Sequence, residues 1–173
     1  MNKVFLTLVA LLMTVMSANA FIDSYTISRD KLPEEAREML DEHFPKAKVS
    51  MIKVDRHLLK KTDYDVRLTN GTKIEFTNKG KWTSVDCGKR SLPADLVPKA
   101  ISRYVSKNYS DAKIVRICKR NAGYDVGISG NLTLRFNLLG QFKKILNAEE
   151  IEEEEEAEAA SQDMETASVE SIL

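Results

Sequence analysis

Tyr64-Asp65-Val66-Arg67-Leu68-Thr69-Asn70-Gly71-Thr72-Lys73-Ile74-Glu75-Phe76-Thr77-Asn78-Lys79-Gly80-Lys81-Trp82 is the stretch around which the chain is organised, because its pattern returns sixty residues later. The second occurrence runs from Tyr124-Asp125-Val126-Gly127-Ile128 through Leu134-Arg135-Phe136-Asn137 to Gly140-Gln141-Phe142. Apolar and polar residues alternate in both. Tyr64, Val66, Leu68, Ile74 and Phe76 mark one face of the first, and Tyr124, Val126, Ile128, Leu132, Leu134 and Phe136 one face of the second. A period of two is that of a strand with one buried face. Asn70-Gly71 between two such runs is a hairpin signal, and the type I′ turn expected there needs positive φ at both central residues. Gly80 and Gly140 mark the next reversals, so each copy reads as a three-stranded antiparallel meander.

The residues ahead of each meander supply its cover. Leu32-Pro33-Glu34-Glu35 opens a helix, since proline in the first turn forfeits no helical hydrogen bond and carboxylates there meet the positive end of the helix dipole. Ala36, Met39, Leu40 and Phe44 form one apolar stripe, and Pro45 ends it. A strand over residues 48–55 follows, with an alternation that changes parity between Val49, Met51 and Ile52, Val54, and then a charged loop over 56–62. The same order restarts at Val97-Pro98: Ile101, Tyr104, Val105 and Tyr109 stand sixty-five positions after the first stripe. A loop five residues shorter turns that offset into sixty at Tyr124-Asp125-Val126. The expected fold is α+β, with two tandem α-β-β-β-β repeats, residues 32–86 and 87–146, forming an antiparallel sheet with both helices on one face.

The ends differ from the body. Residues 1–20 combine Lys3, an apolar run over 4–16 and Ala18-Asn19-Ala20, which reads as a signal peptide cleaved after Ala20. Export to the periplasm or the medium follows, with no membrane span in the mature chain. Residues 21–31 read as a polar lead-in. Between 21 and 146 there are 25 Lys and Arg against 15 Asp and Glu, whereas 147–173 hold 11 acidic residues and no basic one. The chain is a basic body with an acidic tail too poor in bulky apolar residues to fold alone. Cys87 and Cys118 are either one pair or two separate thiols.

The motifs Leu-Pro-x-x-Ala at 32–36, Phe44-Pro45-Lys46-Ala47-Lys48-Val49, Tyr64-Asp65-Val66, Asn70-Gly71, Glu75-Phe76 and Gly80-Lys81-Trp82 resemble those of the PepSY-like, β-lactamase-inhibitor-like family of exported proteins. The second half is similar, with Gly130-Asn131 in place of Asn-Gly and no proline after Tyr109. The resemblance covers residues 32–146 and rests on turns and core positions. It implies a non-enzymatic exported domain whose helix-free sheet face binds another protein, by analogy with β-lactamase inhibitor protein.

The residues themselves carry no enzyme signature. His43 and His57 have no metal-binding spacing, neither cysteine lies in a C-x-x-C pair, and no P-loop, dinucleotide-binding glycine pattern or G-x-S-x-G occurs. No cofactor, no catalytic residue and no metal site is expected, beyond weak calcium binding by the glutamate run, which lacks a turn glycine and fixed geometry. Asp63, Asp65 and Asp125 read as residues of solvated strand faces and hairpin edges. The candidate partner-binding residues are Trp82, Phe142, Arg67, Lys73 and Arg135. If Val85 and Ile145 belong to the core, the two rings face outward among basic residues as interface anchors. A bulge after the glycine turns would instead bring both rings inward. The expected function is a monomeric, non-catalytic exported module that recognises or inhibits another envelope or secreted protein, such as a hydrolase, with no nucleic-acid partner. The alternative is a calcium-responsive or ligand-sequestering envelope protein that uses its acidic tail. That tail, solubilising in its simplest role, is also expected to shield the basic body.

Overall fold

The computed structural model describes residues 24–55, 63–147, 150, 151 and 153. The signal peptide, the start of the lead-in, the charged loop with His57 and most of the acidic tail lie outside the described residues. Nine strands form one antiparallel sheet in strictly sequential order: β1 Ser24–Thr26, β2 Val49–Asp55, β3 Asp63–Leu68, β4 Lys73–Phe76, β5 Trp82–Asp86, β6 Ile114–Arg120, β7 Gly123–Ile128, β8 Leu132–Asn137 and β9 Phe142–Leu146. Helix α1, Glu34–His43, precedes β2, and helix α2, Lys99–Asn108, precedes β6. The α+β class and the antiparallel sheet are as expected. The ninth strand is not: residues 24–26 of the lead-in pair with β2, placing Tyr25 opposite Lys53.

Both helices begin one residue later than the proline rule suggests. Pro33 and Pro98 occupy the N-cap, where their carbonyls accept hydrogen bonds from the Arg37 and Ser102 amides, each at 3.1 Å. The apolar stripes meet the sheet as expected. Ala36, Met39, Leu40, Phe44, Ile101 and Val105 are buried, and Tyr104 and Tyr109 pack half-buried at the margin. Beneath them lies one continuous core. Its largest fully buried side chains include Phe76 and Phe136, and the removal of about 25 cal/mol per Å² of apolar surface from water is what holds helices to sheet.

Two kinds of irregularity recur. The parity change in β2 is a register shift between Val49 and Met51, and β6 has its counterpart between Ile114 and Arg116. A second shift separates Glu75 from Phe76 opposite β5 and Arg135 from Phe136 opposite β9. An extra residue in one strand lets both neighbours of the bulge face the same side of the sheet. The turns depart from expectation at Asn70-Gly71. Gly71 alone has positive φ there, at 85°, and the Gly71 amide donates to the Leu68 carbonyl at 2.9 Å. This three-residue loop with a left-handed glycine satisfies the strand twist without asking Asn70 to be left-handed. The two left-handed residues appear instead at Gly130 and Asn131, in the equivalent second-half turn.

Gly80 and Gly140 lie where a side chain has no room. A Cβ on Gly80 would stand 2.8 Å from the Ala36 amide nitrogen, and one on Gly140 2.8 Å from the Ala100 Cβ. Each β-turn thus presses against the start of the helix in its own half and sets how that helix lies on the sheet.

Candidate functional site

The helices cover one face and leave the other without one. Registers running strand to strand place one residue from every strand in a single line across the helix-free face: Tyr25, Lys53, Asp65, Glu75, Ser84, Cys118, Asp125, Arg135 and Lys144. A second line, two residues along each strand, runs Met51, Arg67, Lys73, Asp86, Arg116, Gly127, Thr133 and Leu146. Alternation keeps these lines away from the helix-side core, and cross-strand neighbours on one face stand about 4.5–5.5 Å apart.

Asp125 anchors the site. Its carboxylate is 2% exposed and accepts three charge-assisted hydrogen bonds: Arg135 Nε to Oδ1 at 2.7 Å, Arg135 Nη2 to Oδ2 at 2.8 Å and Arg120 Nε to Oδ2 at 3.0 Å. Burial alone would push the carboxyl up, but the hydrogen bonds and positive charges of Arg135 and Arg120 outweigh it and hold it below the usual carboxylate range. A forked guanidinium on a buried carboxylate also fixes both side chains in one geometry. The surface reading of Asp125 is therefore corrected. The signal lay in the hairpin itself, because a turn centred on Gly130 brings 125 opposite 135.

The cluster continues to the edge strand. Lys144, beside Arg135, binds Glu150 Oε1 at 2.6 Å. Asn147 and Glu150 then cap one another: the Glu150 amide donates to Asn147 Oδ1 at 2.7 Å and the Asn147 amide to Glu150 Oε2 at 3.1 Å. The hydrogen bond from Lys144 and that from the Asn147 backbone hold the Glu150 carboxyl below its ordinary value. This reciprocal arrangement starts a helix, and the backbone at Glu150, Ile151 and Glu153 is helical.

The five candidate partner-binding residues fall in three places. Arg67 and Lys73 are exposed cross-strand neighbours on the helix-free face. Arg135 is on the same face but five strands from Arg67 and four from Lys73, roughly 24 and 19 Å at the usual strand spacing, and is engaged with Asp125. Trp82 and Phe142 are on the helix side, half-buried and packed against the core, opposite Phe76 and Phe136. The register shifts are the reason: they bring Trp82 to the same side as Val85, which is fully buried. Phe142 stacks on Tyr104 at 4.8 Å with 11° between the ring planes, and Lys119 Nζ lies 3.3 Å from the centroid of Trp82. Ile145, on the edge strand, is 48% exposed, and Leu146 is buried in its stead.

Other titratable groups make no reactive centre. Cys87 is buried in the helix-side core, with the Thr72 hydroxyl 3.9 Å from its sulfur, whereas Cys118 lies half-buried on the helix-free face. They are free thiols on opposite faces, and burial raises the pKa of each, which disfavours the thiolate. Among the described residues no group of three His, Cys, Asp or Glu side chains is placed to hold a metal ion. No helix among the described residues is long and apolar enough to cross a membrane.

A sequential antiparallel sheet with two helices on one face and a charged opposite face defines an α+β scaffold of the kind found in exported bacterial proteins. The family described as "Putative beta-lactamase-inhibitor-like, PepSY-like" matches residues 62–144. A periplasmic protein of unknown function from Bacteroides vulgatus is 38% identical, with a TM-score of 0.70 over 73% of this chain and 100% of its own. A protein from Bacteroides thetaiotaomicron, described as a "putative calcium-regulated periplasmic protein", is 35% identical, with a TM-score of 0.67 over 72% of this chain and 97% of its own. A second B. vulgatus periplasmic protein, from the DUF2874 family, is 35% identical, with a TM-score of 0.66 over 76% of this chain and 100% of its own. No curated protein matches. The chain belongs to the PepSY-like family.

Proposed function

We propose that this protein is a non-catalytic periplasmic binding module that recognises another exported protein through its helix-free sheet face. The observation that carries the reading is the pair of cross-strand lines on that face, which present Lys53, Arg67, Lys73, Arg116 and Lys144 on a backbone braced by the buried Asp125 cluster. Rigid, charged, gently twisted sheet surfaces favour electrostatic capture of a complementary partner and fast association. The likeness to periplasmic proteins and to a β-lactamase-inhibitor-like family supports the compartment and the class of partner, a secreted or envelope hydrolase. Trp82 and Phe142 serve the module by locking each β5- or β9-type strand to its helix, and Arg67 and Lys73 make the contact.

We also propose that the architecture arose by duplication of one helix-and-four-strand unit. Supporting this, α1 and α2 are each ten residues long, β2 and β6 seven, β3 and β7 six, and β5 and β9 five, while both register shifts and both glycine-to-helix approaches recur at the same places.

The test compares the wild-type protein with an Arg67→Glu, Lys73→Glu variant in capture from the envelope fraction of its host. The expected outcome is one or more exported proteins retained by the wild type and lost by the variant at unchanged melting temperature. Equal retention by both would reject this face. A calcium-responsive reading is favoured by the name of the B. thetaiotaomicron relative alone. A melting temperature that rises by several degrees with millimolar calcium, and falls back with chelator, would select it instead.

A further inference from the structure

At the edge of the helix-free face one apolar side chain is buried away from the helices. Leu146 is only 5% exposed, yet it belongs to the edge strand, points away from the helix-side core and pairs with a half-buried threonine, Thr133. Just beyond it Asn147 and Glu150 cap one another, and Glu150 is held by Lys144. Ile151, next in the helix, is half-buried. The neighbours of Leu146 in its line are Thr133 and Gly127, and the Arg116 side chain packs over Gly127, 3.0 Å from where its Cβ would stand.

We propose that residues 150–173 are the resident ligand of this face: the acidic tail lies across the sheet from β9 toward β2 and covers the basic residues of both lines. Charge and length both fit. The region from 147 holds 11 carboxylates and no basic residue, and the second line presents Arg67, Lys73 and Arg116 against Asp86 alone. Twenty-four residues reach the roughly 38 Å across nine strands with length to spare, since a chain spans up to about 3.3 Å per residue. Tethering supplies a high local concentration, so modest contacts suffice, and screening by salt weakens them. The inference concerns the tail and face alone, and it stands whether or not an outside partner exists. If one does, its docking element is anionic and competes with the tail.

Cys118 provides the reporter, because it sits mid-sheet on the same face, while Cys87 is buried on the other and serves as internal reference. The experiment compares the purified wild-type protein with a full-length variant in which Glu152, Glu153, Glu154, Glu155, Glu156 and Glu158 are replaced by Gln. Iodoacetamide labelling at low salt is expected to be at least about threefold slower at Cys118 in the wild type, with the difference abolished at 1 M salt. Carbodiimide coupling of the wild type is expected to link tail carboxylates to Lys73 or Lys53 as well as to Lys144. Equal Cys118 rates in the two proteins, together with crosslinks confined to Lys143 and Lys144, would overturn the proposal. Capture of an exported protein by Arg67 and Lys73 is read separately, so either result leaves the other standing.

Discussion

Asp125 is the residue whose surroundings say most about what the helix-free face tolerates. A carboxylate at 2% exposure is stable only while both arginines hold it, and removing one member of a buried ion cluster leaves the others uncompensated. Asp125→Asn is expected to cost about 3 kcal/mol in urea unfolding at pH 7, the lower end for such a loss because Arg120 and Arg135 keep some contact with water. The pH dependence follows from the depressed carboxyl. Its contribution is present above the ordinary carboxylate pKa of about 4 and is lost as pH falls through the lowered value, so wild-type stability declines on that acid limb. The Asn variant is expected to lack that part of the decline, which melting temperatures between pH 2 and 6 would reveal as a flatter curve.

At the scale of elements, the turns are as important as the helices they meet. Gly140 combines φ of 73° with a backbone–helix approach that leaves no space for a methyl group. Gly140→Ala is expected to destabilise by about 2 kcal/mol, from left-handed strain and displacement of α2, as a shift in urea midpoint at unchanged slope. Gly71→Ala, with nothing within 4 Å of its would-be Cβ, carries the strain without the clash and is expected to cost about half as much. Much of this level was legible in the sequence. Stripes at Ala36, Met39, Leu40 and at Ile101, Val105 named the helix faces, and alternation named the strands, because burial on one side of a regular element leaves its period in the residues. For Trp82 and Phe142 the sequence left two alternatives, and the structure takes the one in which a bulge turns both rings inward, whereas the positions of Ile145 and Leu146 were not legible. A one-residue bulge reverses every later side chain on its strand, and no residue type in Gly80-Lys81-Trp82-Thr83 announces one. Strand β1 was equally hidden, being three residues whose only signal is the edge they pair with. Asp125 fell between these cases: its partner was deducible from the hairpin, its burial was not.

At the scale of the molecule, the two halves meet through β5 and β6. The joint has few paired positions, Ser84 with Cys118, Val85 with Ile117 and Asp86 with Arg116, but Val85 and Ile117 are both fully buried and belong to one core. Lys119 of β6 covers the ring of Trp82 of β5, so the sole tryptophan reports on this joint. Partial withdrawal from water moves the Lys119 ammonium below its usual range, against the attraction of the ring for the charged form. The halves are therefore expected to unfold together. Trp82 fluorescence and far-UV circular dichroism should give coincident urea transitions, and a fluorescence change that precedes loss of secondary structure would show the halves separating first.

The strand order has one more consequence. Because every strand lies next to the strand before it in the chain, a polypeptide delivered from its N-terminus onward always finds its next docking edge already built. No early segment has to wait for a late one, and the sheet grows at one border only, the short β1 forming the other edge. The border formed last is β9, and Glu150 just beyond it is already held by Lys144 of that strand.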